Sequence, residues 1–266
     1  MRRSIPGVAV IAALVGTFSL SPAALAADII PLKAPPPPIW TWTGFYIGGN
    51  VGYSWGKANW VYDNPSGTGT NSGSEKLDGF IGGLQVGYNW QLNQTWVLGL
   101  EADIQGSAEK GSSGFSDPYF CDSCLGGAEE AVNGAVGSDI RWFGTVRGRA
   151  GVLINPTVLL YGTGGLAYGG ISASGSFMDT APAPICTPAA CNWGFNQTTI
   201  KIGWTVGGGV EGAIADSRNW TWKVEYLYVN YGTLSGNGFS TDVGPYSWST
   251  NVTDNVLRVG VNYIFH

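Results

Sequence analysis

The chain has 266 residues and a formal net charge of −5, and 12% of its residues are charged, against about 25% in an ordinary soluble domain. This acidic balance excludes a basic nucleic-acid-binding surface, so we expect no nucleic-acid partner. The 42 glycines, 12 tryptophans and 12 tyrosines are also unusual for a soluble globular protein.

Residues 1–26, MRRSIPGVAVIAALVGTFSLSPAALA, have the pattern of a secretory signal peptide. Two arginines precede an apolar stretch, and an A-x-A cleavage sequence ends at Ala26. The apolar stretch is shorter than the ~20 residues of a membrane-spanning helix. We therefore expect export and cleavage after Ala26, which leaves a mature chain that begins with Ala27 and Asp28.

Residues 27–42, ADIIPLKAPPPPIWTW, are predicted to form a Pro-rich periplasmic linker. The four consecutive prolines at 35–38 favour an extended backbone of about 3.1 Å per residue. The linker separates the signal peptide from a single domain that covers residues 43–266.

Eight strands are predicted in this domain, because apolar residues recur at every second position. We place them at 45–56, 78–90, 95–105, 141–153, 157–169, 201–213, 219–231 and 255–265. The strands are separated alternately by short turns (91–94, 154–156 and 214–218) and by long polar gaps (57–77, 106–140, 170–200 and 232–254). This layout predicts an all-β, eight-stranded antiparallel up-and-down transmembrane β-barrel with long extracellular loops and short periplasmic turns. Outer-membrane lipid and lipopolysaccharide would surround it.

The two faces of the predicted strands differ in chemistry. On the last strand, Leu257, Val259 and Val261 share one face, and Trp and Tyr cluster near the strand ends as in the aromatic girdles of such barrels. The other face carries Glu101, Asp103, Arg147, Arg149, Glu211, Lys223, Glu225 and Arg258. Since Arg or Lys facing lipid at mid-membrane costs ~2–4 kcal/mol, we predict that all eight point inward as ion pairs. Eight strands enclose a space that side chains just fill, which favours a closed core over an open channel.

Several segments together resemble a known family. They are WTGFYIGGNVGYSWG (42–56), DGFIGGLQVGYNWQ (78–91), RWFGTVRGRAGVL (141–153), YGTGGLAYGG (161–170) and VLRVGVNYIF (256–265). They resemble the outer-membrane β-barrel family of alphaproteobacteria, the porin-like surface antigens of rhizobia and brucellae. The resemblance implies a major component of the Gram-negative cell envelope. It also implies that the barrel assembly machinery recognises the C-terminal strand through Tyr263 and Phe265. The family usually ends on Phe, whereas His266 follows here, and this departure puts recognition of that end in question.

The resemblance bears on the linker as well. Members of the family with the same Ala-Asp start are attached covalently to peptidoglycan. The resemblance therefore implies that the amine of Ala27, beside Asp28, is joined to peptidoglycan in the same way. The alternative is that residues 27–42 only separate the barrel from the signal peptide. Both hypotheses stay open at this point.

Cys121, Cys124, Cys186 and Cys191 form two close pairs in predicted external loops. Disulfides are expected in an exported chain, although the pairing cannot be deduced. A redox C-x-x-C site would need a thioredoxin-like context, which is missing, and a zinc site made by all four cysteines is the alternative. We expect no metal and no cofactor.

The sequence offers little for catalysis. GGGVEG at 207–212 matches a nucleotide-binding G-x-G-x-x-G, but it lies inside a predicted strand with no helix after it. The only histidine is the terminal His266, whereas general-base chemistry usually needs a histidine held among partners. We therefore predict that the protein is not an enzyme and has no catalytic residues.

Three functions remain from the sequence. The first is a structural barrel that supports envelope integrity and surface properties. The second is a narrow porin for small solutes. The third is binding of a host surface or a ligand such as haem by the segments 106–140 and 170–200.

Overall fold

The computed structural model describes residues 40–64, 69–120, 129–179, 192–215, 217–240 and 244–266. In these ranges no helix is long and apolar enough to cross a membrane. The predicted signal peptide, residues 27–39 of the predicted linker and all four cysteines lie outside the described residues.

Eight antiparallel strands follow one another around a closed barrel, and the first strand pairs with the last. They are β1 (Gly44–Asn64), β2 (Gly69–Gln91), β3 (Trp96–Phe120), β4 (Glu129–Asn155), β5 (Val158–Asp179), β6 (Asn192–Ala213), β7 (Trp220–Ser240) and β8 (Gly244–Phe265). The predicted eight-stranded up-and-down barrel is thus confirmed. We call the end that carries the short turns and His266 the turn end, and the opposite end the outer end.

Alternation along each strand places apolar side chains outside and polar side chains inside within the predicted spanning segments. On β8, Leu257 and Val259 are 46% and 50% exposed, whereas Arg258 between them is fully buried. The facing of β5 was not resolved by the sequence. In the structure its Leu160 and Leu166 point outward, and Leu159 is buried inside.

The strands are much longer than predicted. They contain 21–27 residues, about twice the 9–11 that a tilted strand needs to span a membrane. The prediction that 57–77, 106–140, 170–200 and 232–254 are loops is therefore wrong for most of their residues, which continue the strands. The physical reason is that these outer parts lie beyond the lipid, where outward-facing side chains contact water. The strands can therefore continue there without the apolar outward face that was used to predict them.

The outer end separates into two four-stranded sheets. The register between β2 and β3 ends at Asp78 and Lys110, and the register between β6 and β7 ends at Trp204 and Asn230. Beyond these points the described residues show no pairing across either gap. The first outer sheet contains 231–240, 244–254, 57–64 and 69–77, and the second contains 111–120, 129–140, 171–179 and 192–203.

An apolar core lies between the two outer sheets. Aromatic rings from opposite sheets stack on one another, as in the pair Phe195 and Trp248, whose ring centroids are 4.2 Å apart. Tyr62 and Phe177 stack at 4.8 Å. Aliphatic side chains such as Ile171 fill the space beneath them. The outer end is therefore held together from inside, like a β-sandwich.

The turn end is closed by residues that the sequence assigned to the linker. Trp42 is fully buried against Tyr46, Leu159 and Ile264. Its backbone nitrogen donates to Gln91 Oε1 at 3.0 Å, and its indole Nε1 donates to the carbonyl of Pro156 at 3.1 Å. The end of the predicted linker is thus part of the barrel core, because two tryptophans so close to the strand are more stable packed than exposed.

Candidate functional site

The eight charged residues predicted to face inward meet in one layer between the turn end and the apolar core of the outer end. They come from β3, β4, β6, β7 and β8, and none is more than 5% exposed. They are Glu101, Asp103, Arg147, Arg149, Glu211, Lys223, Glu225 and Arg258. We call this set the charged layer.

Two arginines, Arg147 and Arg258, form the part of the charged layer that is nearer the outer end. Arg147 contacts Glu225 through Nη1 at 3.0 Å and Asp103 through Nη2 at 3.0 Å, and it also pairs with Glu101. Arg258 contacts Glu225 through Nη2 at 2.6 Å and Asp103 through Nη2 at 2.9 Å. Because these arginines reach carboxylates on strands far apart in the sequence, they connect opposite walls of the barrel.

Glu101 is the centre of the layer. Lys223 Nζ lies 3.0 Å from each of its carboxylate oxygens, and the Tyr46 hydroxyl donates to its Oε2 at 2.7 Å. Arg149 Nη1 lies 3.6 Å from Glu101 and its Nη2 lies 2.6 Å from Glu211 Oε2. The guanidinium of Arg149 also lies 4.0 Å from the centre of the Tyr161 ring, in cation–π geometry.

Neutral polar side chains extend the network toward β1 and β2, which contribute no charged residue to the charged layer. Asn50 donates to Gln85 at 2.8 Å, Gln85 donates to Asn262 at 2.6 Å, and Asn262 donates to Glu211 at 2.8 Å. Thr221 also donates to Glu211, at 2.6 Å. These hydrogen bonds connect β1, β2, β6, β7 and β8 through the interior of the barrel.

The charged layer and the layers above and below it fill the lumen. Among the fully buried side chains are Arg147, Lys223 and Arg258 in the middle, Trp42 at the turn end and Phe143 toward the outer end. The arrangement can hold opposite strands together across the barrel. The four acidic groups and four basic groups of the layer balance one another, so the layer carries no net charge.

Two further buried acids were missed by the sequence reasoning. Glu109 and Asp254 are no more than 1% exposed and lie just beyond the spanning segments, where Ser107 and Ser54 donate to them. Burial raises the pKa of Glu109 to about 8, and the nearby Asp254 contributes in the same direction. Burial likewise raises the pKa of Asp254 to about 6. Both share the inward parity of their strands, so extending the alternation past the predicted strand ends would have found them.

The remaining predicted site residues are placed as follows. Tyr263 and Phe265 lie at the turn end of β8 with ring centroids 4.9 Å apart, and Phe265 is 49% exposed on the lipid side. The glycines of GGGVEG lie inside β6, where a Cβ on Gly207 would meet the carbonyl oxygen of Tyr226 at 2.1 Å. Close strand packing therefore accounts for this motif. Ala26, Ala27, Asp28 and the cysteines lie outside the described residues.

Comparison with known proteins agrees with this architecture. The family model described as "Outer membrane protein beta-barrel domain" matches residues 10–265. The chain is similar to the 31 kDa outer-membrane immunogenic protein of Brucella melitensis, with 35% identity over 265 residues that cover 96% of this chain and 98% of that protein. It is also similar to the 22 kDa outer membrane protein of Rhizobium leguminosarum, with 30% identity over 88% of this chain and 82% of that protein. These matches confirm the resemblance drawn from the sequence motifs.

Proposed function

The chain belongs to the outer membrane protein beta-barrel family and lies in the bacterial outer membrane, and on that premise we propose that it is a structural surface component of the envelope. The charged layer is the observation that carries this proposal. Its ion pairs cross the lumen, so they join opposite walls of the barrel and at the same time occupy the space that a channel would need. The narrow-porin alternative has no comparable support.

The experiment is a conductance measurement on the refolded mature protein in a planar lipid bilayer. We expect no steady channels from the wild type, since buried side chains fill the lumen. Large and stable channels would contradict the structural role and favour the porin. A refolded barrel whose apparent mass on SDS gels changes on heating is the required control for correct folding.

We also propose that the protein tethers the outer membrane to the cell wall through the amine of Ala27. Two observations support this. Trp42 is anchored at the turn end, which in this family's topology faces the periplasm, and the sequence before it contains four consecutive prolines, which favour an extended backbone. Mass spectrometry of digested sacculi should find the 27–33 peptide with an attached muropeptide. Recovery of only the free amine would leave the segment as a spacer.

The outward surface of the barrel suggests two partners of the protein. We propose that lipopolysaccharide phosphates contact the exposed basic side chains just above the lipid, namely Lys57, Lys76, Lys110 and Arg141. The assembly machinery would bind the aromatic end of β8. We propose no catalytic role, since the only histidine, His266, is an exposed terminal residue whose ring lies 3.0 Å from the carbonyl of Arg218.

A further inference from the structure

A polar cavity opens on the outward face of the second outer sheet, where the sheet rises from the lipid. Its lining comes from β3, β4, β5 and β6 and includes Lys110, Gly137, Asp139, Arg141, Ser174 and Asn196. The volume is about 200 Å³. Pockets for drug-sized ligands begin at about 300 Å³, so this cavity suits a single sugar ring or headgroup.

Two features of β4 shape the cavity. Gly137 has no side chain on the outward face, and a Cβ there would lie 3.3 Å from Ser174 Oγ. A β-bulge between Ile140 and Trp142 turns Arg141 outward, beside the ring of Trp142. The cavity is therefore bordered by a basic side chain at the level of the outer aromatic side chains, where lipid headgroups lie.

The basic side chains of the lining have donors to spare. Lys110 makes no ion pair among the described residues, although Asp78 lies beside it in register. The only described partner of Arg141 is Asp139, which it contacts through Nε at 3.4 Å, so Nη1 and Nη2 remain available. Arginine and lysine donors of this kind recognise phosphate.

The acid in the same lining indicates that the ligand also carries hydroxyl groups. Asp139 Oδ2 is buried and has no hydrogen-bond partner among the described residues. Leaving such an acceptor without a donor is costly. A phosphate alone would repel this oxygen, whereas a hydroxyl next to a phosphate would donate to it. The amide of Asn196 and the hydroxyl of Ser174 offer further partners for a sugar.

An apolar surface continues from the cavity into the lipid. Ile104, Val146 and Leu166, on three of the strands that line the cavity, are each more than half exposed. Acyl chains of a lipid whose headgroup occupies the cavity would lie against them. This continuity favours a glycolipid over a free sugar phosphate.

We propose that this cavity binds the phosphorylated sugar headgroup of a lipopolysaccharide molecule in the outer leaflet. Lys110 and Arg141 hold the phosphate, and Asp139 Oδ2 accepts a hydrogen bond from a neighbouring sugar hydroxyl. The inference rests on the contact with lipopolysaccharide proposed above and turns it from a diffuse attraction into a specific site.

The test is native mass spectrometry of the refolded mature protein in an uncharged detergent, titrated with bisphosphorylated lipid A. The wild type should bind it saturably, and Arg141→Ala should bind at least about tenfold more weakly. Asp139→Ala separates the two kinds of contact, because removing an acid would leave a diffuse attraction to phosphate equal or stronger. The specific site instead predicts binding at least about tenfold weaker. The matched control Asp63→Ala removes an acid of the first outer sheet, outside the lining, and should bind like the wild type.

A second pair of variants tests the shape of the cavity without changing charge. Gly137→Val fills the depression and should also weaken binding. Gly114→Val lies on the same sheet but outside the lining, and its Cβ would meet no atom nearer than 3.6 Å. This variant should bind like the wild type.

Two further probes identify the ligand. Dioleoyl phosphatidic acid has a phosphate and acyl chains without a sugar, and glucosamine 1-phosphate has no acyl chains. Each should bind at least about tenfold more weakly than lipid A. Equal binding of either probe, undiminished binding by Asp139→Ala or Gly137→Val, or no binding of lipid A by the wild type overturns the proposal. Only the last result would also remove the proposed contact with lipopolysaccharide.

Discussion

Arg258 tests the charged layer most directly. It is fully buried, and its Nη2 lies 2.6 Å from Glu225, 2.9 Å from Asp103 and 3.4 Å from Glu101. Arg258→Ala leaves the layer with one uncompensated negative charge that water cannot reach. Removing one partner of a buried ion pair costs about 3–5 kcal/mol. We expect a loss of this size in the free energy of unfolding, since Arg147 contacts the same carboxylates and cannot neutralise all of them.

The assay is equilibrium urea unfolding in phospholipid vesicles, followed by tryptophan fluorescence and by the heat-dependent shift on SDS gels. The control is Arg141→Ala, because the Arg141 side chain is 75% exposed and its contact with Asp139 is a surface pair. We expect no measurable change in that variant. Equal effects of the two substitutions would refute enclosure of Arg258.

A second variant separates charge balance from lost packing. Glu225→Gln combined with Arg258→Ala restores neutrality, so the double variant should be more stable than the sum of the two single losses predicts. The expected difference is about 0.5–3 kcal/mol, as found for residues within one ion-pair network. Strict additivity would show that the two groups do not interact and would contradict the geometry of the layer.

Three further outcomes follow from other parts of the barrel. Trp42→Ala should lower the free energy of unfolding by about 3–5 kcal/mol in the same urea assay, because it empties the core of the turn end. Since the pKa of Glu109 is raised to about 8 in the folded state, its contribution is present at low pH and is lost as pH rises through that value. Urea titrations should therefore find the wild type less stable at about pH 9 than at about pH 5, and a weaker dependence in Glu109→Gln. Gly165→Ala should reduce the heat-shifting fraction on SDS gels, because its Cβ would meet the Val146 carbonyl oxygen at 2.1 Å, whereas Gly164→Ala, with its nearest atom at 3.5 Å, should not.

The sequence was most informative where lipid imposes a simple rule. In the lipid a charged side chain is costly on the outward face, so alternation placed Arg258 and the other seven residues of the charged layer inside. It did not predict which carboxylate each base contacts. Arg147 reaches Glu225 on β7, and this choice depends on the stagger of the closed barrel and on side-chain length rather than on spacing along the chain.

The predicted strand ends are wrong because the apolar residues move from the outward-facing to the inward-facing positions along the same strand. On β1, Tyr53 and Trp55 point outward, whereas Ala58, Trp60 and Tyr62 point inward. A pattern that shifts in this way looks like the end of a strand when only one apolar face is sought. The strand in fact continues through the membrane surface, and its apolar side exchanges lipid outside for an aromatic core inside. The same shift hid Glu75, whose segment was taken for a loop, whereas Glu109 keeps the inward parity of β3 and was missed only because the predicted strand ended too early.

The change from lipid to water along the barrel also explains where the barrel separates into two sheets. In the lipid, an unpaired backbone N–H or C=O has no partner, so all eight strands must pair around a closed ring. Water satisfies these groups above the lipid, so a strand edge becomes tolerable there. Pairing between β2 and β3 ends at Asp78 and Lys110, and pairing between β6 and β7 ends at Trp204 and Asn230, at the level of the outer aromatic side chains. Once the ring no longer has to close, the two sheets can pack against each other, and this packing encloses Glu75 between aromatic rings at the cell surface.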